Sequence, residues 1–199
     1  MYLPKHFSES DQNIINEIIL KYDFATVITK TSNDIEISHI PLLLDKTENK
    51  LVGHIARANP IYNLAKSGAI DVKIIFNGPH GYISNKYYTN PDDNVPTWNY
   101  VAVYIDGKLN IIDDNESISK TLDKQFSIYE SNYINWENPK IFKMVNGIVG
   151  IQVSIENVIA KFKLSQNKSL EDQKLIISHL SDNKPELGLF MQKYLKLDN

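Results

Sequence analysis

Three short segments hold the residue types and spacings that could do chemistry. In Gly53-His54-Ile55-Ala56-Arg57-Ala58-Asn59-Pro60 a β-branched run ends, the sole arginine of the chain follows, and a proline stands where a helix can start. Free N–H groups at a helix start and a guanidinium both favour a phosphate. The same residues could equally pair Arg57 with a surface carboxylate and cap the helix with Asn59. The second segment is Gly78-Pro79-His80-Gly81-Tyr82-Ile83-Ser84, followed by Tyr87, Tyr88 and Val95-Pro96-Thr97-Trp98-Asn99-Tyr100. Aromatic faces with a few fixed donors suit a planar ligand, and they also suit half-buried strands. The third is Lys161-Phe162-Lys163-Leu164-Ser165-Gln166-Asn167-Lys168. Alternation puts Lys161 and Lys163 on one strand face, as a ligand contact or as a solvated edge.

Other catalytic signals are sparse. The five histidines are dispersed, with no HExxH spacing, and there is no GxSxG, P-loop or GxGxxG. His39 and His54 fall on neighbouring strands and could share a pocket. Asp92-Asp93 and Asp113-Asp114 read as turn residues. No catalytic residue and no metal ligand set is assigned. The absence of cysteine excludes thiol nucleophiles, disulfides and Cys-ligated zinc. A net charge of −3, from 21 basic and 24 acidic residues, gives nucleic acid no electrostatic advantage.

The elements that must position these segments follow from periodicity. Ile14, Ile15, Ile18 and Ile19 form one stripe of a helix over residues 9–21, with Ser8 or Ser10 as its cap. Strands are expected at 24–30, 35–44 and 50–55, then a short helix from Pro60 to Ser67 closed by Gly68. Further strands fall at 70–76 and around 82–84, with Gly78-Pro79 as a turn between them. Residues 97–105 and 108–113 pair across Asp106-Gly107, a strong hairpin signal. Ile118, Leu122, Phe126 and Tyr129 mark a helix over 115–130. Strands at 148–153 and 158–164 precede two closing helices, 170–180 and 186–195.

The 199 residues, 42% hydrophobic, fit one globular domain, mainly β in an α+β arrangement: an antiparallel β-barrel with peripheral helices. No apolar run approaches the roughly 18 residues of a membrane span, and the N-terminus lacks a signal pattern, so a cytoplasmic protein is expected.

Taken together, MYLPKHF at the start, PLLLD at 41–45, GHIARANP at 53–60, GPHGYIS at 78–84, VPTWNY at 95–100 and KFKLSQN at 161–167 resemble the PaiB-type FMN-binding negative transcriptional regulators of bacteria. Asn85-Lys86 departs from the pair that the family pattern leads one to expect before the tyrosines. The resemblance implies an FMN-binding split barrel, similar to the pyridoxamine-phosphate-oxidase-like proteins, over 1–165, with a helical extension over 166–199. It implies a homodimer whose flavin sites draw on both subunits. His54, Ile55, Arg57, Ala58 and Asn59 would then meet the FMN phosphate. Tyr82 and Ser84 would lie near the ring or ribityl chain, and Trp98, Lys163 and Gln166 would come from the partner. It also implies negative regulation of transcription, direct or indirect, with DNA as a partner. Residues 161–199 carry seven Lys against five acids, too little charge for firm backbone binding. A flavin-dependent NAD(P)H oxidoreductase and a haem protein with His39 or His54 as axial ligand are the alternatives on this fold.

Overall fold

The computed structural model describes residues 1–130, 135 and 137–197. In chain order they form β1 (Ser8–Glu9), α1 (Gln12–Lys21), β2 (Phe24–Lys30), β3 (Ile35–Pro41), β4 (Leu43–Asp45), β5 (Lys50–Ala56) and α2 (Pro60–Ala65). Then come β6 (Ile70–Ile83), β7 (Thr97–Ile112), α3 (Asn115–Tyr129), α4 (Pro139–Val145), β8 (Ile148–Lys163), α5 (Leu170–Asn183) and α6 (Pro185–Leu195). Short 3-10 turns occupy Asn85–Tyr87 and Pro91–Asp93.

The strands make one antiparallel sheet in the order β3-β2-β6-β7-β8-β5-β4, with β1 paired on β8. β3 and β4 end that order on opposite sides, yet Leu42 alone separates them in sequence. The sheet must therefore curl until its two ends meet, which makes it a barrel. Leu42 is fully buried, and its N–H donates to the Asp23 carbonyl at 2.9 Å. Where β5 passes this join, a Cβ on Gly53 would come within 2.7 Å of the Pro41 carbonyl oxygen, so only glycine fits.

The described residues gather into two compact units. The first is Met1–Ile15, Asn77–Val103 and Ile159–Asn199; the second is Asn16–Phe76 and Tyr104–Val158. β6, β7 and β8 run through both. The second unit holds the β2–β3 hairpin, β4–β5, α2, α3 and α4. Its core includes Val27, Ile40, Leu51, Ile74, Phe76 and Ile151. Ile118 and Leu122 of α3 pack with Val145 of α4. In the first unit α5 and α6 pack on each other, burying Ile176, Leu180, Leu187 and Met191. Phe162 meets the rings of Phe190 and Tyr194 there, and Tyr194 donates to Glu9 at 2.7 Å, tying β1 to α6.

Two expected hairpins are absent. β6 passes Gly78-Pro79 without turning, and β7 passes Asp106-Gly107 without turning. Both glycines serve close strand approach. A Cβ at Gly78 would lie 2.9 Å from Val101, and one at Gly107 would lie 2.4 Å from the Ser154 carbonyl oxygen. Asp106 is held across the sheet, accepting from Lys73 of β6 and from Asn157 of β8. The two expected strands at 148–153 and 158–164 are likewise one, and α4 is an element the pattern did not reveal. The first helix starts at Gln12, not residue 9, because Asp11, not Ser8 or Ser10, accepts the Asn13 N–H. Its apolar stripe is as expected, with Ile15, Ile18 and Ile19 buried.

At Gly107 the obstructing atom is backbone, so a methyl group forces the strand to shift. Gly107→Ala is expected to lower stability by about 1–3 kcal/mol in urea unfolding. An unchanged midpoint would show that β8 can move away freely.

Candidate functional site

The second unit carries the GHIARANP segment on β5 and the start of α2. His54 is half-buried, and its Nδ1 lies 2.7 Å from Oε1 of Gln125 in α3. Gln125 turns its Nε2 to the Pro41 carbonyl at 3.2 Å, so the carboxamide oxygen faces the imidazole. In this arrangement Nδ1 of His54 donates to the Gln125 oxygen. Ile55, next along β5, is buried in the core.

Arg57 is the better-anchored group. Its backbone N–H donates to Gly147 and its Nε–H to the Asn146 carbonyl, both at 2.9 Å. Its Nη1 and Nη2 both donate to the carboxylate of Asp113. That fork holds the Asp113 carboxyl below its usual range and pushes the Arg57 guanidinium up. The Tyr62 ring lies 5.9 Å from the guanidinium carbon. Asn59 caps α2, accepting from the Ile61 N–H at 2.9 Å, and its Nδ2 donates to Ser38 Oγ at 2.9 Å. Ala58 between them is exposed. The carboxylate pairing of Arg57 and the helix cap of Asn59 are thus both present. A phosphate at this place would exchange with Asp113 for the guanidinium.

The first unit holds the aromatic and lysine segments. Tyr82 of β6 and Trp98 of β7 are about half exposed, 49% and 53%. Their rings meet edge to face with centroids 6.0 Å apart, and the His80 ring lies 6.5 Å from Trp98. This is an open aromatic wall beside polar groups, and it fits one side of a flat heteroaromatic ring. Lys163 of β8 supports it from behind. Its Nζ donates to Thr97 Oγ1 at 2.6 Å and to the Trp98 carbonyl at 2.7 Å.

Ser84 and Gln166 have local duties. Ser84 caps the 3-10 turn by accepting from the Lys86 N–H at 3.2 Å. Gln166 accepts from the Leu164 N–H and donates to the Phe162 carbonyl, closing the turn after β8. Of the ten expected residues, Tyr82, Ser84, Trp98, Lys163 and Gln166 belong to the first unit, and His54, Ile55, Arg57, Ala58 and Asn59 to the second. A Cβ at Gly81 would lie 2.9 Å from a terminal methyl of Leu187 in α6.

Sequence reasoning did not single out Asn99 as the link between two segments. It is fully buried, and its Nδ2 donates to Ser165 Oγ at 2.9 Å, joining VPTWNY to KFKLSQN. Asp172 is also new. It accepts from the Thr89 N–H and hydroxyl, both at 2.9 Å, and so holds the loop after β6 on α5. Among the described residues no three His, Asp or Glu side chains converge as a metal site, and no helix is long and apolar enough to cross a membrane.

The Thr89 N–H, the strongest influence, lowers the Asp172 carboxyl below its ordinary value. A carboxyl depressed in the folded state adds stability above its unfolded value and loses it as pH falls through the folded one. Thermal melting between pH 2 and 6 should therefore show a steeper acid loss below about pH 4 for the native chain than for Asp172→Asn. Parallel curves would deny Asp172 this role.

A family model described as "Putative FMN-binding domain" matches residues 1–157. The "Protease synthase and sporulation protein PAI 2" of Bacillus subtilis is 32% identical over 208 residues, covering 98% of this chain and 99% of that protein. Among solved structures, the FAD and haem binding protein of Mycobacterium smegmatis superposes with a TM-score of 0.60 at 11% identity, over 84% of this chain and 78% of that one. The flavocytochrome Anf3 of Azotobacter vinelandii gives 0.57 at 12% identity, over 87% and 78%. At such identities the two structures speak for the fold, a split barrel.

Proposed function

The chain belongs to the FMN-binding domain family, and from that membership we propose a homodimeric FMN protein of the cytoplasm that acts in negative regulation of transcription. FMN is the cofactor of the family, and the match over residues 1–157 is the observation that carries the reading. When bound, the flavin supplies hydride and single-electron chemistry.

This chain's own residues would bind and orient it. Trp98 and Tyr82 would face the ring, while Lys163 keeps the Trp98 backbone in place. Arg57, released from Asp113, would meet the phosphate charge, with the Ala58 and Asn59 backbone beside it. His54 and Ile55 complete that segment, the first fixed by Gln125 and the second by the core. Ser84 and Gln166 would act through the turns they hold. In the dimer Trp98, Lys163 and Gln166 would come from the second copy, and residues 166–199 would form a helical extension of the barrel.

One exposed surface supports a second copy. On the outer face of the β2–β3 hairpin Phe24, Ile35 and Ile37 are 65%, 59% and 56% exposed, with Ile28 directly opposite Ile37. An apolar face of this kind marks an interaction site. Sedimentation velocity at micromolar concentration should give a dimer, and Ile37→Lys should shift it to monomer. A monomeric native chain would remove the two-subunit site.

Regulation is proposed to be indirect. α5 and α6 turn their apolar stripes onto each other and the first unit. Their acids Glu171, Asp172, Asp182 and Glu186 offset Lys174, Lys184 and Lys193. These two helices therefore offer a phosphate backbone no excess of positive charge.

Titration with FMN while its fluorescence is followed tests the reading. Saturable quenching at one flavin per subunit is expected. Arg57→Ala should weaken it roughly ten- to a hundredfold, the loss of a charged hydrogen-bond pair. Asp113→Asn, which frees the guanidinium, should tighten it. Unaltered FMN fluorescence in the native chain would reject the function, and an unchanged Arg57→Ala constant would take Arg57 out of the site.

A further inference from the structure

Lys163, which the flavin reading uses to hold Trp98, shares a pocket with Lys168, which that reading leaves without a role. In the first unit a cavity of about 230 Å³ is lined by Lys163, Lys168, Ser165, Thr97, Tyr88 and Phe7, among others. Its construction starts at Ser165, a buried non-glycine residue in the left-handed region at φ 64°. Asn99 holds it there, donating to Ser165 Oγ at 2.9 Å and accepting from it at 3.3 Å. The reversal continues with the Lys168 N–H donating to the Ser165 carbonyl at 3.0 Å. The result brings Lys168 back to the cavity that Lys163 already lines.

Neither ammonium meets a carboxylate. Lys163 Nζ donates to Thr97 Oγ1 and the Trp98 carbonyl, and Lys168 Nζ donates to Asn94 Oδ1 at 2.7 Å. Lys163 stands over the Phe7 ring at 5.8 Å and Lys168 over the Tyr88 ring at 4.9 Å. Lys161, two residues before, donates to the Tyr2 carbonyl and also has neutral partners. The nearby acid, Asp172, turns its oxygen to Thr89 and acts on Lys168 only at a distance. Burial first, then Lys161 and Lys168, push the Lys163 ammonium down, the mark of positive charge without a counter-charge. Burial likewise raises the Tyr88 phenol, which keeps its proton and remains a donor.

We propose that this pocket binds a phosphate-monoester dianion. Two ammonium groups match its two charges, and the hydroxyls of Thr97 and Tyr88 offer further polar contacts around it. The volume lies below the usual 300–1,000 Å³ or so of pockets for whole small-molecule ligands, which suits a phosphoryl group. The phosphate could belong to FMN itself or to a second phosphorylated small molecule.

The experiment is calorimetric titration of the full chain with inorganic phosphate, at constant ionic strength in chloride, without and with saturating FMN. One site per chain is expected. Lys168→Met should weaken it at least tenfold, while Lys120→Met, a charge-matched change on α3, should leave it as it is. Phosphate binding that persists on the FMN-loaded protein assigns the pocket to a second ligand. Competition with FMN, together with a Lys168→Met chain that loses FMN but not riboflavin affinity, assigns it to the flavin phosphate. No saturable phosphate binding, or equal binding by native and Lys168→Met chains with native-like circular dichroism, overturns the proposal. FMN binding in the native chain is read separately, so either reading can fail without the other.

Discussion

The structure depends on the single residue between β3 and β4. Because these strands close the sheet order from opposite sides, Leu42 must carry the chain across the seam of the barrel. Its burial and its bond to Asp23 fix the crossing. The Pro41 carbonyl just before it is pressed against Gly53 on one side and accepts from Gln125 on the other. That one carbonyl thus ties the seam to β5 and α3, and through Gln125 it holds the His54 ring. A residue in the middle of the candidate site is oriented by the same contact that closes the fold.

How much was legible in the sequence follows from what each signal measures. β2 at Phe24–Lys30 and α3 at Asn115–Tyr129 match their periodicities almost residue for residue, because one face of each is buried and the other wet. The long strands β6, β7 and β8 were each split in two. Gly78-Pro79 and Asp106-Gly107 have the composition of turns, but what a turn and a close strand crossing share is the need for a missing Cβ. Local sequence cannot tell these apart; the neighbour that occupies the space, Val101 or the Ser154 carbonyl, lies on another strand. The aromatic and lysine segments were visible as clusters, but their joining through Asn99 and Ser165 was not. That bond spans 66 positions and has no periodicity.

The two groups of basic residues differ in a way that residue type conceals. Arg57 is the sole arginine and the natural candidate for a phosphate, yet a fork to Asp113 and a bond to the Asn146 carbonyl already satisfy it. Lys161 and Lys163 had the alternation of a solvated strand edge, yet Lys163 shares a pocket with Lys168, and both have neutral partners only. A surface ion pair such as Arg57–Asp113 is weak in water and exchanges readily for a stronger anion. An ammonium kept half-buried beside another is a standing cost, and the fold bears it at Lys163 because Thr97 and the Trp98 carbonyl solvate the charge from inside. Electrostatics therefore sets a different condition for an anion in each place. At Arg57 it must displace a carboxylate and gains the difference between two pairings. In the lysine pocket it displaces no charge and gains the whole attraction, so the lysine pocket, without a residue of arginine's geometry, presents the more open demand for negative charge.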